Sequence, residues 1–182
     1  MTAFRKLAER EVHRGPLISV AIGTFVSADG QEFERDVVHH PGAVSVVALE
    51  DDGTVLLVRQ YRAALDRELL EIPAGKRDVA GEPPELTAHR ELAEEVGRAA
   101  RRMDLLATFY NSPGFCDEHS YTYLARDLSA VPSDLQGFEE QAMTIERVAL
   151  DDALGLITSG DITDAKTIIG LTMARHAIAA DS

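Results

Sequence analysis

Apolar and polar positions along the chain divide it into short segments with alternating or continuous apolar character. Leu17 to Phe25 and Glu32 to His40 read as two strands around Ser27-Ala28-Asp29-Gly30, a hairpin signal. Ala43 to Leu49 and Val55 to Tyr61 read as a second pair, joined by Glu50-Asp51-Asp52-Gly53 with Asp-Gly at the turn. Leu69 to Ile72 is a short apolar strand leading into Pro73-Ala74-Gly75. Leu105 to Tyr110 and Ser120 to Ala125 flank a loop from Asn111 to His119, and Thr144 to Val148 is a further strand. Leu150 to Ser159 has helical character. A last helix begins near Thr163, where Ala165, Ile168, Ile169, Thr172 and Met173 recur at the helical period. Strands mixed with helices, with no repeat and no low-complexity linker, predict a layered arrangement around one core.

The stretch from Gly75 to Gly97 has a different pattern. Glu91, Glu94 and Glu95 stand at i, i+3 and i+4, so a helix carries all of them on one face. Leu86, Leu92, Ala93 and Val96 are expected to fill the other face, with His89 packed among them rather than serving as a ligand. Pro83-Pro84 suits a helix start and Gly97 the position just past its end. The carboxylates therefore crowd the last two turns, where the helix dipole favours cations. A bound divalent metal resolves the conflict, since carboxylate oxygens are what Mg²⁺ prefers. Taken alone, an acidic helix face is an ordinary solvated face.

Composition narrows the partners. A chain of 182 residues has single-domain length, long enough to bury a sizeable core. Its net charge of −13 argues against nucleic acid and anionic membranes as partners. A small phosphorylated substrate stays compatible, because a bound metal inverts the local field. No apolar run reaches transmembrane length and no signal-peptide core is evident, and the single cysteine fits a reduced cytoplasmic setting. The one cysteine, Cys116, excludes an intrachain disulfide and a zinc cluster. His39 and His40 would point to opposite faces of a strand and are read as structural.

The spacing of the whole acidic stretch resembles the signature of the Nudix hydrolases. That pattern is Gly, five residues, Glu, seven residues, then Arg-Glu-apolar-x-Glu-Glu-x-Gly-apolar. Everything from Glu82 to Gly97 matches. Six residues rather than five separate Gly75 from Glu82, and Arg98 stands where an apolar residue is usual. The resemblance implies an α+β fold of α/β/α sandwich type, a mixed β-sheet between helices, here with an N-terminal β-hairpin extension. It implies a single domain over residues 1–182, with residues 1–40 as a strand extension used in dimerisation and 41–182 as the Nudix core. It also implies hydrolysis of a nucleoside diphosphate linked to another moiety, with Mg²⁺ as cofactor and Mn²⁺ as a possible substitute. Metal ligation falls on Glu91 and Glu95, with Glu94 as an additional ligand. The resemblance further implies the Ala74 carbonyl as a ligand and Glu82 as a contact to the metal site through water. Arg90 orients the glutamates.

Three further segments resemble bacterial ADP-ribose pyrophosphatases. Pro113 lies sixteen residues after Gly97, within Ser112-Pro113-Gly114 and just ahead of the acidic pair Asp117-Glu118. Val58-Arg59-Gln60-Tyr61-Arg62 precedes Leu70-Glu71-Ile72-Pro73-Ala74-Gly75. Glu139-Glu140-Gln141-Ala142-Met143-Thr144 stands where those enzymes carry a catalytic base in a loop. The resemblance implies Glu140 as the base, with Glu94 as the alternative. It places Arg62, Arg35, Pro113, Gly114 and Glu118 at the substrate. An arginine on a surface strand is an equally ordinary reading of Arg62. The expected reaction is Mg²⁺-dependent cleavage of ADP-ribose to AMP and ribose 5-phosphate by a homodimer with exchanged N-terminal strands. The alternatives are a hydrolase of GDP- or UDP-sugars, a sanitising hydrolase of nucleoside triphosphates, and a Nudix protein that binds ADP-ribose without cleaving it. Phe25 and Phe33 are the aromatics of the N-terminal hairpin, and neither is assigned to a base.

Overall fold

The computed structural model describes residues 3–135 and 137–181. Residues 1, 2, 136 and 182, which the expected single domain includes, lie outside them. The chain forms two compact units, one of residues 1–42 and 110–119, the other of 43–109 and 120–182.

The first unit is a three-stranded antiparallel sheet in the order β1 (Arg5–Arg14), β2 (Ser19–Val26), β3 (Glu32–His39). The expected hairpin is β2 and β3. Strand β1 was not expected, and the reason is physical. All ten of its residues are exposed, so no buried face imposes an alternating pattern on the sequence. The segment 110–119 joins this unit through Val38, which accepts from the Asp117 amide at 3.1 Å and donates to the Phe115 carbonyl at 2.7 Å. His39 sits between two carboxylates, Glu9 at 2.9 Å and Asp117 at 2.5 Å, and both raise its pKa. The His40 ring accepts the Gly42 amide at 3.1 Å. Both histidines thus have structural partners.

The second unit holds a seven-stranded mixed sheet. Its path runs β10 (Thr144–Ala149), β5 (Thr54–Arg62), β4 (Ala43–Leu49), β9 (His119–Ala130), β8 (Arg98–Tyr110). The short strands β6 (Arg67–Glu71) and β7 (Ala74–Lys76) pair with β5 and β4. β4 and β9 are parallel, while β4 is antiparallel to β5 and β7. Helix α1 (Pro84–Val96) packs on β4 and β7. Helices α3 (Leu150–Ser159) and α4 (Ala165–Asp181) pack together, α3 against β5 and β10 and α4 against β4.

Two apolar clusters show that helices cover both faces of this sheet. Val55 and Leu57 join Leu150, Ala153 and Leu171 in one cluster; Leu56 and Val58 join Ala88, Leu92 and Val96 in the other. Alternate residues of β5 thus point to opposite cores. This is why β4 and β5 read as continuous apolar runs rather than as half-polar strands. Strands β8 and β9 run well beyond their expected limits, and β7 was not expected as a strand. β8 starts at Arg98 instead of Leu105, and β9 runs on to Ala130; half-exposed, arginine-rich ends carry little apolar signal. β7 is three residues long, too short for any periodicity.

Candidate active site

Helix α1 starts and stops where its sequence predicts. Pro84 occupies the first turn after Pro83, and Gly97 adopts the left-handed conformation at φ 62°. Its amide closes the helix on the Ala93 carbonyl at 3.1 Å, the C-terminal arrangement that favours glycine. The faces, however, differ from the periodicity reading. Leu86 is 56% exposed, and His89 is only half-buried. The buried residues are Thr87, Ala88, Glu91, Leu92, Glu95 and Val96, so two glutamates lie on the covered side.

The corner between β6 and α1 explains that burial. The Ala74 amide donates to Glu95 Oε2 at 2.9 Å. A Cβ added to Gly75 would lie 1.9 Å from the Glu91 carboxyl carbon. Only glycine lets the backbone come this close to a carboxylate. Burial pushes the Glu91 carboxyl up to about 7 even though Arg90 opposes the rise. Burial pushes Glu95 up to about 8, against the Ala74 hydrogen bond. Burial thus disfavours the charged form of both acids, and a further cation beside them would favour it.

Arg90 spans this cluster. Its Nη1 lies 2.8 Å from Glu91 and donates to Glu94 at 3.0 Å; its Nη2 lies 3.7 Å from both Glu82 and Asp78. Burial disfavours its charge, but Glu91, Glu94 and Glu82 outweigh that and raise its pKa. Its Nε and Nη2 are buried without a hydrogen-bond acceptor among the described residues. Glu82 accepts from the buried Thr87 hydroxyl at 2.8 Å, a contact that no spacing rule announces.

The donor set suits Mg²⁺. It consists of carboxylate oxygens beside a backbone corner kept clear by Gly75, with two of the acids short of positive charge. Among the described residues no three acidic, histidine or cysteine side chains converge as a preformed cage, and Glu91 and Glu94 turn onto Arg90.

The remaining candidates fall in separate places. Glu139 and Glu140 lie in a five-residue helix, α2 (Gly137–Gln141), not in the flexible loop expected. Beside the dominant effect of burial, Glu140 adds to the rise of both Glu91 and Glu95; Tyr61 is raised first by its hydrogen bond to Asp66, with Glu139 a smaller contributor. Arg62 donates through Nε and Nη2 to Glu71 at 2.7 and 2.6 Å, so one edge of its fork is engaged within the protein. Glu71 is 1% exposed, and no local pattern assigns it a role, because its pairing with Arg62 and Lys166 is made by the fold. In the first unit, Arg35, Pro113 and Gly114 line one cavity of about 350 Å³ together with Phe25, Tyr110 and Asp117. Glu118 does not line it; its carbonyl accepts the Asn111 amide at 3.4 Å. Arg98, the departure from the motif, pairs with Glu50 at 3.0 Å.

The NUDIX domain model matches residues 39–169, and the chain belongs to the Nudix family. It is 39% identical to an ADP-ribose pyrophosphatase of Bacillus subtilis strain 168, over 90% of this chain and 88% of the relative. It is 35% identical to a methanol dehydrogenase activator of Bacillus methanolicus, over 92% and 90% of the two chains. A crystal structure of an ADP compounds hydrolase superposes with a TM-score of 0.85 at 23% identity, covering 100% of this chain and 97% of that one, which establishes the fold. Among the described residues no helix is long and apolar enough to cross a membrane.

Proposed function

We propose that this Nudix hydrolase cleaves ADP-ribose to AMP and ribose 5-phosphate with Mg²⁺. The observation that carries the chemistry is the packing of buried Glu91 and Glu95 against Ala74 and Gly75. Glu91, Glu94, Glu95 and the Ala74 carbonyl would hold Mg²⁺, with Glu82 reaching it through water. Bound there, the metal neutralises phosphate charge and polarises the phosphoryl group. Arg90 orients Glu91 and Glu94 through charge-assisted contacts. Glu140 takes the proton of the attacking water, a role supported by its electrostatic reach to Glu91 and Glu95. Arg62, steadied on one edge by Glu71, has Nη1 left to grip a phosphate oxygen. The cavity of Arg35, Pro113 and Gly114 supports a nucleoside site, with Phe25 offering an aromatic face.

The substrate assignment draws on the likeness to the Bacillus subtilis enzyme over nearly the whole chain. A panel of ADP-ribose, GDP-mannose and UDP-glucose, followed by chromatography of the products, tests it. ADP-ribose should turn over fastest and yield AMP and ribose 5-phosphate. A higher kcat/KM on a GDP- or UDP-sugar rejects the assignment, and tight binding of ADP-ribose without products identifies a binding protein instead.

For the assembly we infer a homodimer with exchanged N-terminal strands, as the resemblance implies. β1 is an outer strand with every residue exposed, including Leu7 and Val12, and an open strand edge is a template for another chain. Light scattering at low micromolar concentration should report twice the chain mass. A fully active monomer contradicts shared assembly.

A further inference from the structure

Beneath the Ala74–Gly75 corner lies a buried polar network that the hydrolytic reading does not use. Asp164 precedes α4 and caps it: Oδ2 accepts the Thr167 amide at 2.9 Å and the Thr167 hydroxyl at 2.8 Å. The Thr167 oxygen in turn accepts the Ile72 amide at 2.9 Å. Lys166 bonds Asp164 Oδ1 at 2.6 Å and lies 3.8 Å from Glu71 Oε2. Glu71 receives the Arg62 fork. Two cations and two carboxylates thus balance within a largely buried cluster, and Thr167 is fully buried.

Such a cluster is a poor device for stability alone. Apolar side chains of similar volume commonly stabilise a core as well or better. What the cluster does supply is a fixed backbone. It grips Glu71 by its side chain and Ile72 by its amide. On the other side, the Pro73 carbonyl accepts the Val46 amide at 2.9 Å, and Ala74 pairs with Ser45 of β4. The next two residues are those that meet Glu95 and Glu91. With a Gly75 Cβ position only 1.9 Å from the Glu91 carboxyl carbon, the corner has almost no freedom to drift.

We propose that Asp164, Lys166 and Thr167, the capped first turn of α4, are positioning residues that hold the Glu71–Gly75 corner at the depth its carboxylate partners need to bind a divalent cation. The inference rests on the assignment of Glu91 and Glu95 as metal ligands. The hydroxyl of Thr167 is the central contact, because it joins the helix cap to the Ile72 amide.

The test measures Mn²⁺ binding by paramagnetic resonance of the free ion, with kcat and KM for ADP-ribose alongside. Thr167→Val keeps the shape of the side chain and removes the hydroxyl. It should weaken Mn²⁺ binding by about 10-fold, the lower end of what loss of an outer-shell partner does. Its kcat should fall while KM stays within about twofold, since ground-state contacts to the substrate are untouched. Thr167→Ser restores the hydroxyl and should recover both quantities. A folded Thr167→Val protein with wild-type Mn²⁺ affinity overturns the proposal. If Thr167→Val fails to fold, Lys166→Gln decides, with weakened Mn²⁺ binding in support and unchanged binding against. A wild-type protein that binds Mn²⁺ and cleaves ADP-ribose, with variants that bind Mn²⁺ equally well, removes the positioning role alone. Variants that weaken Mn²⁺ binding as expected, beside a wild-type protein that leaves ADP-ribose intact, remove the substrate assignment alone.

Discussion

Glu140→Gln should lower kcat by about 10²–10⁴-fold, the usual contribution of a positioned general base. KM should hardly change, because the interaction removed belongs to the transition state. The neighbouring change Glu139→Gln serves as the comparison and should have a much smaller effect. The two residues differ by one position in α2 yet act on different groups, Glu140 on Glu91 and Glu95, Glu139 on Tyr61. Steady-state kinetics of both variants at saturating Mg²⁺ decides the matter. A Glu140→Gln enzyme within a few-fold of wild type returns the role of base to α1, where Glu94 is the candidate.

Glu95→Gln should abolish most activity and leave the protein folded. Burial already holds the Glu95 carboxyl up to about 8, so the metal-free protein near neutrality carries it largely protonated. Glutamine matches the shape of that protonated acid and can still accept the Ala74 amide through its carbonyl oxygen. What it lacks is the charge a divalent cation requires. Circular dichroism should therefore match wild type, while ADP-ribose turnover falls to background. Wild-type activity should vanish with a chelator and return with Mg²⁺ or Mn²⁺. Full turnover by the chelated protein would remove the metal from the mechanism.

The two variants probe parts of the site that differed in how far the chain disclosed them. Helix α1 was legible almost to the residue, because its limits are local: Pro83-Pro84 starts it and Gly97 ends it. The carboxylate spacing is equally local, and so is the match to the Nudix signature that the family model supports. Burial was not legible. Periodicity puts Leu86 inside, whereas the fold leaves it exposed and covers Glu91 and Glu95, because the Ala74–Gly75 corner lies over that edge of the helix. Glu139 and Glu140 cannot be told apart by composition; the turn of a five-residue helix separates them.

By itself the sequence determined what depends on neighbours within a few positions. That includes the α1 caps, the Asp-Gly turn between β4 and β5, the apolar runs of those doubly covered strands and the order of acids along one helix face. The tertiary structure decided what depends on pairs far apart in the chain. Glu71 is engaged by Arg62 and Lys166, Ile72 is held by Thr167, and Val38 receives the 110–119 segment. Strand β1 belongs with these. Its ten exposed residues carry no buried face to write a period into the sequence, and only pairing with β2 makes it a strand. Local dihedral preference and capping act over one turn, so they can be read in order along the chain. A buried charge network or an exposed strand is stabilised only by partners that folding brings together, and no local pattern records them.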